Sequence, residues 1–147
     1  MSLHLRRGDF GTYCGGHPET CFPPIGELAR LVEEVRVEVL AKSGVNMLPN
    51  DVVVTSDESD PSWWSEVRAQ GWTYVNHTKE RTVEDYGLWY PAFIDAIIQS
   101  MGTGFIGTHQ STMSLVAGRR VEDWNGGVVK MASVSYHLRV ALLTKVR

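Results

Sequence analysis

Two adjacent arginines close an alternating stretch from Met1 to Arg6, in the run His4-Leu5-Arg6-Arg7-Gly8-Asp9. A guanidinium offers a planar fork of N–H donors that matches phosphate oxygens in both charge and geometry. Side chains alternate along a strand, so His4 and Arg6 share one face while Arg7 points to the other, and the two arginines take different roles. For Arg7 and Asp9 a surface ion pair stands level with a ligand contact. His4 reads equally as a hydrogen-bonded core histidine and as a ligand contact.

A second group is Thr55-Ser56-Asp57-Glu58-Ser59-Asp60. Its carboxylates are of the type that holds a divalent cation, but Asp60 before Pro61 already has a use as a helix cap, and no metal is expected. Asp57 is suited to accept hydrogen bonds from the N–H donors of a purine base. The third group runs from Gly104 to Met113, where Phe105-Ile106 between glycines is followed by Thr108, His109, Gln110, Ser111 and Thr112. Hydroxyls and free backbone N–H groups at a helix start favour an anion, with simple capping by Ser111 or Thr112 as the alternative. A cation, a carboxylate and an anion-binding helix start at successive strand ends describe a pocket for a nucleotide diphosphate.

That pocket requires a scaffold with all three ends on one side. The alternating Met1 to Arg6 reads as a buried strand, with a loop to Pro24. From Ile25 to Ser43, Leu28, Leu31, Val32, Val35 and Val39 fall at helical spacing, and Gly44 supplies the stop. Val52-Val53-Val54 is a β-branched run suited to a strand covered on both faces. Asp60-Pro61 predicts a cap and first helical position, with Trp63, Trp64 and Val67 as the apolar side of a helix ending at Gly71. Trp72 to Val75 is a short strand, and another helix begins near Thr82. Pro91 kinks or restarts that helix, after which Phe93, Ile94, Ile97, Ile98 and Met101 are expected to form its buried stripe. Phe105-Ile106 is the fourth strand, a helix starts within Gln110 to Ala117, and Val128-Val129 is a last strand. Strands alternating with amphipathic helices predict an α/β, three-layer Rossmann-like domain with a mainly parallel sheet and ligands at the carboxyl ends of the strands.

A chain of 147 residues with 43% hydrophobic content has material for one core. We expect a nucleotide-sugar-binding domain over residues 1–131 and a tail over 132–147 that follows neither period. Seventeen acidic side chains against fourteen basic ones give no bulk attraction to nucleic acid or to an anionic membrane. No stretch reaches the roughly eighteen apolar residues of a membrane helix, and Met1 is not followed by the pattern of a signal peptide.

The three groups resemble the motifs of the GDP-fucose-dependent fucosyltransferases that include protein O-fucosyltransferases and α1,6-fucosyltransferases. His4-Leu5-Arg6, continued by Arg7 and Asp9, is similar to their His-x-Arg run; Ser56-Asp57 to their second strand end; Phe105 through Thr112 to the third, over roughly Leu3 to Lys130. The resemblance implies the C-terminal donor-binding half of a GT-B transferase. It implies a catalytic role for Arg6 on the donor phosphate and a donor-binding set of His4, Arg6, Arg7, Asp57, Asp95, Ser111, Thr112 and Met113. It further implies GDP-fucose or GDP as ligand, no metal, a protein or glycan hydroxyl as acceptor, and a second, N-terminal domain to hold that acceptor. A donor-binding module without transfer activity, or a fragment without function, is the alternative.

Cys14 and Cys21 share one Gly- and Pro-rich loop, where a disulfide is favoured over two free thiols. Asn76-His77-Thr78 is a glycosylation sequon. Both features, with the resemblance, point to the lumen of the secretory pathway, in the endoplasmic reticulum or Golgi.

Overall fold

Ser2–Leu5, four consecutive buried residues, form the central strand β1 of the sheet. The structure, a computed structural model, describes residues 1–14 and 22–133. Among these, β1 is followed by a 3-10 turn at Asp9–Cys14 and by helix α1 at Ile25–Ser43. Strand β2 (Val53–Ser56), helix α2 (Pro61–Ala69) and the short strand β3 (Thr73–Tyr74) come next. Helices α3 (Thr82–Tyr86) and α4 (Tyr90–Met101), strand β4 (Gly104–Thr108), helix α5 (Thr112–Asn125) and strand β5 (Val128–Ala132) complete the order.

The strands lie in the order β3-β2-β1-β4-β5, and every neighbouring pair is parallel. This is an α/β domain with a Rossmann-like sheet order. Chain order reverses between β1 and β4, which opens a crevice at the carboxyl ends of those two strands. The register pairs His4 with Thr55 on one side and with Gly107 on the other, so the three strand ends stand level.

Alternation in β1 sorts the layers. Leu3 and Leu5 join Leu28, Val32, Val35 and Val39 of α1 and Trp63 and Val67 of α2 in the main core. Ser2 and His4 face the other way, toward Gln99 of α4 and Ser114 of α5. The helix boundaries follow local chemistry. Asp60 accepts from the Ser62 N–H and Pro61 opens α2, as the sequence predicts. Gly44, left-handed at φ 72°, closes α1 by donating to the Leu40 carbonyl. Pro91 sits in the first turn of α4, where its missing N–H costs nothing.

Helix α4 departs from its expected orientation. Phe93, Ile97 and Met101 are 58%, 60% and 73% exposed, and Ile94 and Ile98 are only half-buried, whereas Gln99 is 0% exposed and Ser100 is buried. The expected stripe is split: Phe93, Ile97 and Met101 point outward, while Ile94 and Ile98 lie half-buried at its edge. Polar anchoring holds it that way: the Gln99 amide donates to the Thr55 hydroxyl (3.0 Å), and Ser2 donates to the Gln99 carbonyl (3.1 Å). Residues 134–147, most of the expected tail, lie outside the described residues, and Ala132 itself ends β5.

Candidate functional site at the β1 and β4 ends

Glycine at position 107 brings α5 onto the sheet. A Cβ there would stand 2.7 Å from Ser114 Cβ and 2.8 Å from Phe105, so only a residue without one lets the first turn of α5 lie this close. The gain is a polar junction. Ser114 Oγ lies 2.7 Å from His4 Nδ1 and accepts from the Thr108 N–H at 2.9 Å. His4 is buried, and that burial, reinforced by Arg6 and opposed by Asp57, pushes its ring down to about 4. It is neutral at physiological pH, and the core-histidine reading describes its environment.

Thr108 ties the two strands where their ladder runs out. Its hydroxyl donates to the His4 carbonyl (2.9 Å) and accepts the Arg6 N–H (2.8 Å). One side chain thus sets the path of the chain just before the Arg6 guanidinium. After Thr108 the chain turns at once: Ser111 N–H donates to the Thr108 carbonyl, Gln110 takes a left-handed φ of 67°, and Ser111 Oγ caps α5 by accepting the Ser114 N–H at 3.3 Å. The N–H groups of Thr112 and Met113, in the first turn of this 14-residue helix, have no carbonyl of their own helix to meet. Their positive end of the helix dipole lies at the crevice.

The two arginines diverge as alternation requires. Arg6 turns to Asp9, with Nε and Nη2 each 2.9 Å from Oδ1, and to Asp57 Oδ2 through Nη1 at 3.2 Å. Arg7 goes to the opposite side, where Nε meets Glu58 Oε2 at 2.6 Å and the guanidinium lies over the rings of Phe22 (4.4 Å) and Trp63 (4.8 Å). Burial pushes the Glu58 carboxyl up, but Arg7 and the N–H groups of Asp60 and Ser59 outweigh it and hold the group below its ordinary value. Arg7 is packed into the wall of the site, while Arg6 stands at its mouth.

Asp57 links β2 to the turn after β1. Its Oδ1 accepts the N–H groups of Arg7 (2.7 Å) and Gly8 (3.0 Å). Together with the Arg6 contact, this makes Asp57 the organiser of the β1 turn, and it brings Arg6, Arg7, Asp57 and Gly8 into one connected group.

Asp95 and Met113 lie apart from that group. Asp95, on α4, accepts from or pairs with His77 Nε2 at 3.1 Å, and His77 Nδ1 lies 3.1 Å from the Thr82 hydroxyl. Burial raises the Asp95 carboxyl, against the pull of His77. Met113 and Thr112 line a cleft of 310 Å³ between α4 and α5, with Ala96, Gln99, Val116, Ala117 and Arg120. Asn76 lies on the rim of a wider cleft of 690 Å³ at the ends of β2 and β3; its side-chain oxygen accepts the Lys79 N–H at 3.0 Å. The Cys14–Cys21 pairing falls outside the described residues.

Sequence reasoning placed Thr108 and Glu58 within their motifs and His77 within the sequon, but missed their roles, and that of Ser114, as the partners that hold the named residues. Ser114 had one signal, its place three residues beyond the capping Ser111. The other three depend on which strands are neighbours. Among the described residues no group of three or more His, Cys, Asp or Glu is gathered as a metal site, and no helix is long and apolar enough to cross a membrane. No protein-family model matches the chain, and no curated protein matches it.

Proposed function

We propose that the β1–β4 crevice binds the diphosphate of a guanosine diphosphate sugar, with GDP-fucose as the donor, and that the domain is the donor-binding half of a fucosyltransferase. The observation that carries the reading is the Thr108 bridge: a single hydroxyl holds the Arg6 backbone and the start of the α5 turn against each other. A guanidinium and a helix N-terminus so joined are two independent sources of positive potential for one anion. The motif resemblance supplies the nucleotide and the sugar.

Transfer on this reading breaks the bond between the sugar's anomeric carbon and the β-phosphate oxygen. A bond forms to the acceptor hydroxyl, whose proton passes to a base, and GDP departs. Charge grows on the leaving diphosphate as that bond lengthens. Arg6 and the N–H groups of Thr112 and Met113 stabilise it most in the transition state, without covalent chemistry or metal. The Asp57 carboxylate and the neutral His4 serve to hold the β1 turn in shape. The acceptor, a protein or glycan hydroxyl, is held by a second domain. The exposed sequon at Asn76 accords with a home in the secretory lumen.

Titration calorimetry with GDP, GDP-fucose and UDP tests the reading. Binding of GDP and GDP-fucose without added divalent cation, with UDP at least about tenfold weaker, is the expected outcome. Preference for UDP would overturn the choice of nucleotide.

A further inference from the structure

Helix α4 is built with its sides reversed. Tyr90, Phe93, Ile97 and Met101 form one outward stripe, while Gln99, directly opposite, is buried against Thr55. Asp95, the helix's one charged residue, is turned inward to His77. A surface helix ordinarily shows water its charges and the core its apolar stripe. We propose that this face is the centre of a two-fold interface with a second copy of the chain, a proposal that stands apart from the nucleotide reading.

Size is the first argument. The stripe continues through Tyr86, Leu88 and Trp89, all exposed. At ~200 Å² for a fully exposed large side chain, these seven residues present about 900 Å². That exceeds the few hundred Å² of apolar patch usual on a monomer and matches the roughly 800 Å² that one partner buries in a standard interface.

Self-complementarity is the second. The amino-terminal half of the stripe is aromatic, with Tyr90 and Phe93 edge to face at 6.1 Å, and the carboxyl-terminal half is aliphatic, with Ile97 and Met101. A two-fold axis near Phe93, the middle of the stripe, runs the helices antiparallel, so each copy's aromatic half meets the other's aliphatic half, including the Met101 thioether. Charge agrees with the same arrangement. Glu84 of α3, beside the Arg81–Asp85 ion pair (3.7 Å), leaves the amino-terminal end acidic, while Arg120 reaches Ser100 at the other end, its Nη1 donating to Ser100 Oγ at 3.5 Å. Antiparallel packing sets acid against base; parallel packing would set like against like.

Sedimentation velocity at tens of micromolar chain tests the proposal, beside the Ile97→Glu variant. The native chain is expected to sediment at twice the chain mass. Ile97→Glu is expected to sediment as a monomer with unchanged far-ultraviolet dichroism and melting temperature, because Ile97 touches solvent within one copy. A monomeric native chain would overturn the proposal and leave the face to another domain or protein. Open-ended oligomers, or a dimer that survives the substitution, would overturn it as well. If Ile97→Glu does not fold, the axis is read by cysteine pairing under mild oxidation. Phe93→Cys is expected to give a covalent dimer beyond the native background and Met101→Cys none; equal yields would contradict the axis.

Discussion

Gly8 and Asp57 are in such close approach that a Cβ built on Gly8 would stand 2.7 Å from Asp57 Oδ2. The same carboxylate accepts the Gly8 N–H and contacts Arg6 Nη1. A Cβ at position 8, where φ is not positive, would displace the end of the Asp57 side chain rather than strain the backbone. Gly8→Ala is therefore expected to push Asp57 off Arg6. The cost is about 1–3 kcal/mol of stability, together with weaker GDP binding, by chemical denaturation and calorimetry. A variant with native stability and native affinity would show that the contact does not organise the site.

Arg6 and Arg7 separate binding from stability. Arg6→Ala removes a group at the mouth of the crevice, and GDP affinity is expected to fall roughly 10- to 100-fold, the loss of a charge-assisted hydrogen bond to phosphate, with little change in melting temperature. Arg7→Ala leaves Glu58, 16% exposed, without its cation and removes a guanidinium packed on Phe22 and Trp63. About 1–3 kcal/mol of stability is expected to go, with affinity for GDP in the folded fraction near native. Equal effects of the two substitutions on affinity would contradict their assignment to opposite sides of the β1 end.

His4 sets an acid limit on stability. Burial holds its ring at about 4, while in the unfolded chain it takes up a proton near 6.5. Between those values the unfolded chain binds more protons, so stability falls as pH drops through the window and His4 adds nothing further below it. The contribution is on the order of 3 kcal/mol. Asp95, whose carboxyl burial raises, acts in the opposite sense over the pH range just above its ordinary value of 3.8. Urea titrations from pH 7.5 to 4.5 are expected to show this decline and His4→Asn to flatten it. A native profile without the decline would mean that the ring is charged or solvated in the folded protein.

Much of the scaffold was legible because it rests on local rules. The β-branched run at Val52-Val53-Val54, the helical spacing from Leu28 to Val39 and the Asp60-Pro61 cap each specify an element without reference to the rest of the chain. The divergence of the Arg6 and Arg7 side chains was expected from strand alternation, and it persists although both residues follow the end of β1. The orientation of α4 was not legible, because periodicity says which residues share a face and not which face is inward. There the deciding contacts, Gln99 to Thr55 and Asp95 to His77, span 44 and 18 residues. Pairing of Arg7 with Glu58 and the bridge of Thr108 to His4 and Arg6 depend likewise on β1 lying between β2 and β4.

The central claim is a location, and amide chemical-shift mapping of GDP on the isotope-labelled chain tests it most directly. On the proposed reading the backbone amides of Arg6, Gly8, Thr112 and Met113 border one crevice, with the Thr108 bridge to Arg6 and the turn from Thr108 to Ser111 between them. Saturable shifts concentrated on those amides, absent in Arg6→Ala, are the expected result. Shifts confined to the cleft lined by Trp64, Tyr74 and Lys79, or no shifts at GDP concentrations up to millimolar, would contradict the account.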